Sequence, residues 1–276
     1  MRLRIVLGWL VTALLVGAVL SFALGPFAWQ LVTAFKPTEQ LAQLPPLLPR
    51  QITFAHFAAV LTAPGFLRVG LNSILVATLA VLLAFVFGIP ASYALAKLNL
   101  RFAGFLLASV LCFSMFPSIA NVGPLYLLFI RLGIRDNIFA VVVAHSVYAL
   151  PFTLWTLTNF FREIPDDLYR AARIDGCSHL GILRHIVLPL AAPGLASVGL
   201  LVFIFSWNEF LYALALTATE RSRTLPVAIA LFPGLHEVPW GEIAAASVLA
   251  TLPTVALVLI FQTRIVSGLT AGAVKG

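Results

Sequence analysis

Residues 164–176 read IPDDLYRAARIDG, a polar stretch in a chain that is otherwise strongly apolar. With its flanks at Arg162, Glu163 and Arg184, the stretch holds eight of the 27 charged residues, which are 17 basic and 10 acidic. Hydrophobic residues make up 61% of the 276 residues, charged residues only 10%, and the mean hydropathy is +1.05. A soluble globular domain carries about 25% charged residues, so this composition indicates an integral membrane protein.

Six charge-poor stretches surround the polar segment, and each approaches the roughly 20 apolar residues that a membrane-spanning helix needs. Their continuous runs of Leu, Val and Ala favour helices over the alternating pattern of barrel strands. We therefore predict an all-α integral membrane protein that forms a single domain over residues 1–276. The predicted spans are residues 5–35, 69–96, 102–130, 137–161, 193–216 and 243–263. The predicted connections are a cytosolic segment, 162–192, and two outer loops, 36–68 and 217–242.

The start of the chain resembles a signal peptide, with Arg2 and Arg4 before an apolar run and small residues at 21–23. The apolar sequence continues to Phe35, whereas a signal core is about 7 to 15 residues long, so we expect an uncleaved first span. Six spans place both termini on one side. With the termini in the cytosol, ten Lys and Arg lie inside and seven outside, in agreement with the positive-inside rule.

The polar stretch has the start and stop signals of a short helix. Pro165 suits the first helical position, Asp166 and Asp167 suit the positive end of the helix dipole, and Gly176 suits a left-handed cap. A second helix is expected to begin near Ser178. The segment is therefore predicted to form a helix, a glycine turn and a second helix.

One face of the predicted helix is small and smooth. The face consists of Leu168, Ala171, Ala172 and Asp175, which share it by i, i+3, i+4 and i+7 spacing. Such a face allows another protein to approach closely. The alternative is a solvated loop that only caps a helix bundle, and the spacing alone does not decide between the two.

Several motifs resemble those of a known transporter family. The runs 164–168, 171–176 and 186–190 resemble the EAA loop of the inner-membrane subunits of ABC importers. Further matches to the carbohydrate branch are Asn72-Ser73, residues 91–96, Trp207-Asn208-Glu209-Phe210 and the tail 268–276. Within that branch, the second permease subunit of maltose- and trehalose-type systems is the most similar, and the resemblance extends over nearly the whole chain.

This resemblance implies a type I ABC importer transmembrane fold with a cytosolic coupling helix that docks on an ATPase. The implied coupling residues are Asp166, Asp167, Leu168, Arg170, Ala171, Ala172, Asp175 and Gly176. The implied partners are a second permease subunit in a heterodimer, two copies of a cytosolic ATPase, an extracytoplasmic sugar-binding protein, the sugar and the bilayer. The implied location is the cytoplasmic membrane of a bacterium or archaeon.

No catalysis or cofactor is expected in this chain. The sequence contains no phosphate-binding loop of the G-x-x-x-x-G-K-S/T kind, so ATP and magnesium are expected on the partner ATPase. His179 and His185 are six residues apart, the wrong spacing for metal ligands on one helical face, so no metal site is expected. The net charge of +7 is attributed to membrane topology, and no nucleic-acid partner is expected.

One residue departs from the family motif. The motif usually has a glutamate before the two alanines, where this chain has Arg170. An acidic contact to the ATPase cannot be transferred to this position, because its charge is reversed. Either the partner surface differs, or Asp166 and Asp167 supply the negative charge.

Glu209 is a carboxylate inside an otherwise charge-free stretch, where insertion scales assign a cost of about 2.5–3.5 kcal/mol to a central acidic residue. Trp207 and Asn208 beside it suit stacking on a sugar and hydrogen bonding to it. We therefore regard Trp207, Asn208, Glu209, Asn72 and Tyr148 as candidates for the translocation path. The alternatives are an outer-interface position or a subunit contact for Glu209, and helix-to-helix hydrogen bonds for Asn72 and Tyr148.

Three other functions compete with sugar import. A membrane-embedded enzyme would need converging catalytic groups, whereas Glu209 and His145 lie on separate predicted spans. A secondary carrier could use Glu209 as a proton site, but the polar segment would then have no role. An ABC permease for amino acids or phosphate remains open, because the ATPase-docking loop is common to importers.

Overall fold

The computed structural model describes residues 2–41, 48–232 and 238–271, with side chains described for 7–41, 48–232 and 238–262. All regular secondary structure in these ranges is helical. The helices are α1 (Arg2–Phe35), α2 (Thr38–Leu41), α3 (Ala55–Thr62), α4 (Phe66–Lys97), α5 (Ala103–Ser114), α6 (Ser118–Arg131), α7 (Ile138–Glu163), α8 (Asp166–Ile174), α9 (His179–Ile182), a π-helical turn (Leu183–Val187), α10 (Leu188–Leu190), α11 (Ala192–Asn208), α12 (Leu211–Leu216), α13 (Leu225–Ala230) and α14 (Trp240–Ala271).

Among the described residues, four helices are long and apolar enough to cross a membrane: α1, α4, α7 and α14. Two further pairs of helices also qualify if each bent pair counts as one span, which brings the number to six. The outer surface of α1 is apolar, with Phe22 87% exposed and Trp9 73% exposed. In a bilayer these side chains contact lipid and not water, so there is no hydrophobic free-energy cost to leaving them uncovered by protein.

The third predicted span, 102–130, is not one continuous helix. It consists of α5 and α6, which meet at an angle of 91°. The break lies at Pro117, whose backbone is extended (φ −56°, ψ 128°) and which has no N–H to continue the ladder of α5. The span predicted over 102–130 is therefore bent sharply at a proline.

The fifth predicted span, 193–216, is also broken. The helix α11 ends at Asn208, and α12 begins at Leu211. Between them Glu209 has an extended backbone (φ −67°, ψ 128°). At the other end of α11, the helical stretch 179–190 meets it at an angle of 80°.

The described residues divide into two compact units. The first unit contains the described parts of residues 1–66 and 229–253. Its core packs Ala34 and Val60 against Ala244, Ala245 and Ala246. The ring of His56 is buried there, with Nε2 2.9 Å from the Lys36 carbonyl oxygen and Nδ1 3.1 Å from Glu242 Oε1.

The second unit contains residues 67–228 and the described part of 254–276. Its central helix is α7, which packs against α5, α11 and α12. One buried cluster surrounds Leu157 and Phe161, near the end of α7. Another surrounds Val141 and Val142, near its start, and includes Tyr212 of α12. Both segments that carry candidate functional residues, 162–192 and 207–217, are attached to this helix.

Candidate functional site

The helix α8 lies where the polar stretch predicts a helix. It begins at Asp166, and both Asp166 and Asp167 lie in its first turn, as predicted. Pro165 is the residue before the helix and not its first member, because its backbone is extended (φ −55°, ψ 132°). Proline at this position costs the helix no hydrogen bond, since the first N–H groups of a helix have no partner within it.

The predicted glycine cap at the end of α8 is confirmed. Gly176 has φ +79°, the left-handed conformation that a side chain opposes. Its N–H donates to the Arg173 carbonyl oxygen (3.2 Å), and the Cys177 N–H donates to the Ala172 carbonyl oxygen (2.9 Å). These two bonds form the Schellman motif, which satisfies carbonyl groups at the helix end. The guanidinium of Arg173 adds a bond to the Cys177 carbonyl oxygen at 3.1 Å.

The second helix begins where the sequence predicts it. The hydroxyl of Ser178 accepts a hydrogen bond from the Gly181 N–H at 3.1 Å and so caps α9. The two helices are also joined by side chains, because the Tyr169 hydroxyl lies 2.8 Å from His179 Nδ1 and the two rings stack. The segment therefore has a defined internal geometry.

A residue that the sequence analysis missed anchors the start of α8. Lys97, at the end of α4, donates to the Ile164 carbonyl oxygen (2.6 Å) and to Asp166 Oδ1 (2.7 Å). The Lys97 side chain is 3% exposed. Its hydrogen bond and its positive charge hold the pKa of the Asp166 carboxyl below its usual range. The sequence indicates only a cation at the end of a span, which is equally typical of topology.

The face of α8 that is open to a partner differs from the predicted one. Ala172 is 5% exposed and packs in the same cluster as Phe161 and Ile182, so it faces the chain's own core. Leu168 is 44% exposed, and Ala171, Asp175 and the cation Arg170 are exposed. Ile174 (86% exposed) and Leu180 (73% exposed) add apolar surface. The prediction that Ala171 and Ala172 both lie on the face open to a partner is therefore wrong for Ala172.

Glu209 caps a helix and contacts a histidine within the span. Its Oε1 accepts the Tyr212 N–H (2.8 Å), and its Oε2 accepts the Ala213 N–H (3.1 Å), so the carboxylate caps the start of α12. The same Oε2 lies 2.9 Å from His145 Nε2 on α7. His145 Nδ1 in turn lies 2.7 Å from the Ser206 hydroxyl on α11. One carboxylate and one imidazole therefore connect three helices.

The two neighbours of Glu209 have different surroundings. The ring of Trp207 is 4% exposed and stacks on Phe203, so it has no open face for a sugar in this conformation. Asn208 is exposed, and its amide donates to the Ile204 carbonyl oxygen of its own helix at 2.8 Å. Tyr148 on α7 is 46% exposed, with its ring 6.0 Å from that of Tyr212.

Asn72 holds a loop, whereas the alternative to a sugar contact was a helix-to-helix hydrogen bond. Its side-chain amide lies 3.0–3.3 Å from the carbonyl oxygens of Glu220, Arg221 and Arg223. Asp136 binds the same loop through the N–H groups of Ala218 (2.7 Å) and Thr219 (3.0 Å) and through the hydroxyls of Thr219 and Ser222. The loop after α12 is therefore fixed from α4 by Asn72 and from the connection between α6 and α7 by Asp136, and the sequence analysis did not identify Asp136.

Comparisons with known proteins agree on one class. A sequence profile described as binding-protein-dependent transport system inner membrane component matches residues 84–271. The chain is 41% identical over 260 residues to the trehalose transport system permease protein SugB of Mycobacterium tuberculosis, covering 94% of each protein. It is 41% identical over 271 residues to the trehalose/maltose transport system permease protein MalG of Thermococcus litoralis, covering 95% of this chain and 96% of that protein.

A solved structure has the same fold. A chain of a bacterial ABC transporter involved in the import of the acidic polysaccharide alginate superposes with a TM-score of 0.82 at 25% sequence identity. The match covers 95% of this chain and 98% of the other.

Proposed function

The chain belongs to the family of binding-protein-dependent transport system inner membrane components, and we propose that it is a permease subunit of an ATP-driven sugar importer. The observation that carries this proposal is the 41% identity to a trehalose and a trehalose/maltose permease over almost the full length of each protein. At this coverage the resemblance includes the helices, the polar segment and the loops together. The proposed sugars are disaccharides or oligosaccharides.

The proposed role of α8 is to couple ATP hydrolysis to movement of the spans. Its exposed residues Leu168, Ala171, Ile174 and Asp175 are available to a cytosolic ATPase. Its two ends are fixed by the contact of Asp166 with Lys97 and by the Gly176 cap. A short helix fixed at both ends transmits a rigid-body shift without loss, which is how one element drives another between two discrete states.

The charges on the exposed surface of α8 differ from those of the usual family motif. Arg170 replaces the motif's glutamate and is exposed. Asp167 and Asp175 are exposed carboxylates on the same helix, while Asp166 is paired with Lys97. We infer that Asp167 or Asp175 meets the basic contact on the ATPase, and that the ATPase surface opposite Arg170 is acidic or neutral.

The remaining components are assigned to partners. The sequence contains no phosphate-binding loop, so ATP and magnesium belong to two copies of a partner ATPase. A second permease subunit would complete the pathway, and an extracytoplasmic binding protein would deliver the sugar, in line with the family's description. We place the chain in the cytoplasmic membrane of a bacterium or archaeon, with both termini and α8 in the cytosol.

Among the candidates for the translocation path, the exposed groups are the better supported. Asn208 and Tyr148 present polar atoms on exposed side chains. Trp207 is buried, and Glu209 and Asn72 bond to other parts of the chain. We therefore propose Asn208 and Tyr148 as sugar contacts and assign Trp207, Glu209 and Asn72 to the framework around them.

The proposal is tested by purifying the tagged chain from its native membrane in mild detergent and determining what accompanies it and in what ratio. We expect a second permease subunit and two copies of an ATPase. Adding the binding protein with trehalose or maltose should stimulate ATP hydrolysis. Recovery of the chain alone or as a homodimer, without an ATPase, would contradict the proposal.

A further inference from the structure

We propose that Lys97 is a positioning residue that fixes the start of α8 to the end of α4, so that a movement of α8 reaches α4 as well as α7. This inference rests on the proposed function and identifies a route within the chain by which docking of an ATPase would move a second span. Without it, the start of α8 would keep its chain connection to α7 through Ile164 and Pro165 and its ring contact with α4 at Tyr169, but would lose its hydrogen-bonded link to α4.

The contacts of the ammonium group carry this inference. Lys97 Nζ bonds to the Ile164 carbonyl oxygen at 2.6 Å, and Ile164 is the C-cap residue directly after α7. The same Nζ bonds to Asp166 Oδ1 at 2.7 Å, and Asp166 is the first residue of α8. Lys97 itself is the last residue of α4. The ends of two long helices and the start of a third therefore meet at one cation.

Burial of Lys97 distinguishes this pair from an ordinary surface salt bridge. The Lys97 side chain is 3% exposed, although that of Asp166 is 64% exposed. An exposed lysine moves freely and its pairs contribute little, whereas a buried ammonium retains its position only while its hydrogen-bond acceptors hold it. The geometry therefore requires both the carbonyl oxygen and the carboxylate to stay near the end of α4.

A second contact, one helical turn before Lys97, joins the same two helices. The ring of Tyr93 on α4 lies 6.4 Å from the ring of Tyr169 on α8. Tyr169 also stacks on His179 at the start of α9. The last turn of α4 thus contacts α8 at Asp166 and at Tyr169, and through Tyr169 it is connected to the helix that leads into α11.

The test uses the complete importer, reconstituted with its own partner subunits and binding protein in liposomes. Lys97→Met keeps an unbranched apolar chain in the buried site but removes both hydrogen bonds. Lys97→Arg keeps the charge and the donors. Arg101→Met is the matched control, because it removes an exposed cation four residues further along the chain. The measured quantity is sugar taken up per ATP hydrolysed, together with the amount of ATPase bound to the complex.

We expect Lys97→Met to bind the ATPase normally, because the exposed face of α8 is unchanged. We expect its uptake per ATP to fall about fivefold or more, in the range typical of coupling between distant sites. Lys97→Arg should retain most of the wild-type uptake per ATP, and Arg101→Met should match the wild type in the same quantity. A Lys97→Met importer with the wild-type ratio would overturn the inference, as would an equal loss in Arg101→Met.

Two further results keep the inference separate from the proposed function. If Lys97→Met fails to assemble, Asp166→Asn decides, because it keeps the Lys97 bond to Ile164 and removes only the opposite charge. A reduced uptake per ATP in Asp166→Asn would support the inference, and a wild-type ratio would overturn it. If the wild-type complex itself shows no ATP-driven sugar uptake, the proposed function fails, and the role of Lys97 in it fails with it.

Discussion

His145 Nε2 and Glu209 Oε2 lie 2.9 Å apart, although 64 residues separate them in the sequence. Their side chains are 1% and 13% exposed. The pair joins α7 to the break between α11 and α12, and the same carboxylate caps α12. Glu209, a candidate for the translocation path, therefore stabilises a helix break in the middle of a span.

Removing this carboxylate should destabilise the protein. Glu209→Ala leaves the His145 ring and two amide groups of α12 without their acceptor, and a buried donor left unsatisfied costs about 1–3 kcal/mol. We expect a clear drop in the melting temperature of the purified protein. Asn208→Ala is the control, because the Asn208 amide bonds to a carbonyl oxygen of its own helix. Equal melting temperatures for the two variants would contradict this role of Glu209.

The cap at Gly176 should be necessary for coupling but not for insertion. No atom lies within 4 Å of a Cβ added at Gly176, so a substitution there acts only through the left-handed backbone. That conformation costs a residue with a side chain about 1–2 kcal/mol. We expect Gly176→Val to abolish sugar uptake while its amount in the membrane stays normal.

Gly176→Asn is the matched variant, since asparagine adopts the left-handed region more readily than valine does. It should retain most of the uptake, measured with the same labelled sugar. Normal uptake by Gly176→Val would disprove the importance of the cap, and an equal loss in both variants would show that something other than backbone conformation matters.

The Asp136 carboxylate should hold the loop after α12 across the physiological pH range. Burial would raise the pKa of Asp136, but hydrogen bonds from Ser222, Ala218 and Thr219 outweigh it and hold the pKa well below its usual range. A lowered pKa stabilises the folded loop above the ordinary aspartate pKa of about 4, and this stabilisation is lost as the pH falls from there through the lowered pKa.

Hydrogen exchange at Ala218 and Thr219 checks this prediction. After correction for the intrinsic pH dependence of exchange, protection should be constant from about pH 8 to pH 5 and should weaken below about pH 4. Asp136→Asn should speed exchange about tenfold or more, because a hydrogen bond to a charged group contributes about 1.5–3 kcal/mol. Glu220→Gln, a change in an exposed carboxylate of the same loop, should leave protection unchanged. Protection that changes between pH 8 and pH 5 would contradict the assignment.

Gly241 should tolerate no side chain in the first unit. A Cβ at Gly241 would overlap ring atoms of His56, whose nitrogens lie within hydrogen-bond distance of the Lys36 carbonyl oxygen and the Glu242 carboxylate. The ring cannot move without breaking those bonds, so Gly241→Ala should destabilise this unit by about 1–3 kcal/mol, the usual cost of overpacking. Gly241→Ala in a His56→Ala background should cost less. The changes are measured by thermal unfolding. If the destabilisation by Gly241→Ala is the same with and without His56→Ala, this account is contradicted.

Local signals in the sequence predicted the features that depend on local structure. The proline, the two acidic residues and Gly176 mark the ends of α8 within one residue, because start and stop signals act over a few neighbours. The helical class and the approximate positions of the apolar helices follow from hydropathy.

Two kinds of feature were not predicted from the sequence. Some depend on contacts between residues far apart in the chain, and others are helix geometries that a hydropathy pattern does not distinguish. Lys97 is one cation among several near the ends of spans, and its acceptors lie 67 and 69 residues further along the chain. Burial of Ala172 is set by Phe161 and Ile182, which no spacing rule places beside it. The 91° angle at Pro117 is one of several outcomes open to a proline inside an apolar run.

The central claim is that α8 docks on a cytosolic ATPase, and crosslinking from α8 tests it most directly. In a chain whose exposed Cys112 and Cys177 are replaced by serine, single cysteines are placed at Ala171 on α8 and at Thr219 in the loop after α12. The complex is treated in native membranes with a thiol–amine crosslinker. We predict a crosslink to the ATPase from Ala171→Cys and none from Thr219→Cys. Labelling of Ala171→Cys by an impermeant thiol reagent from outside intact cells, with no ATPase crosslink, would contradict the account.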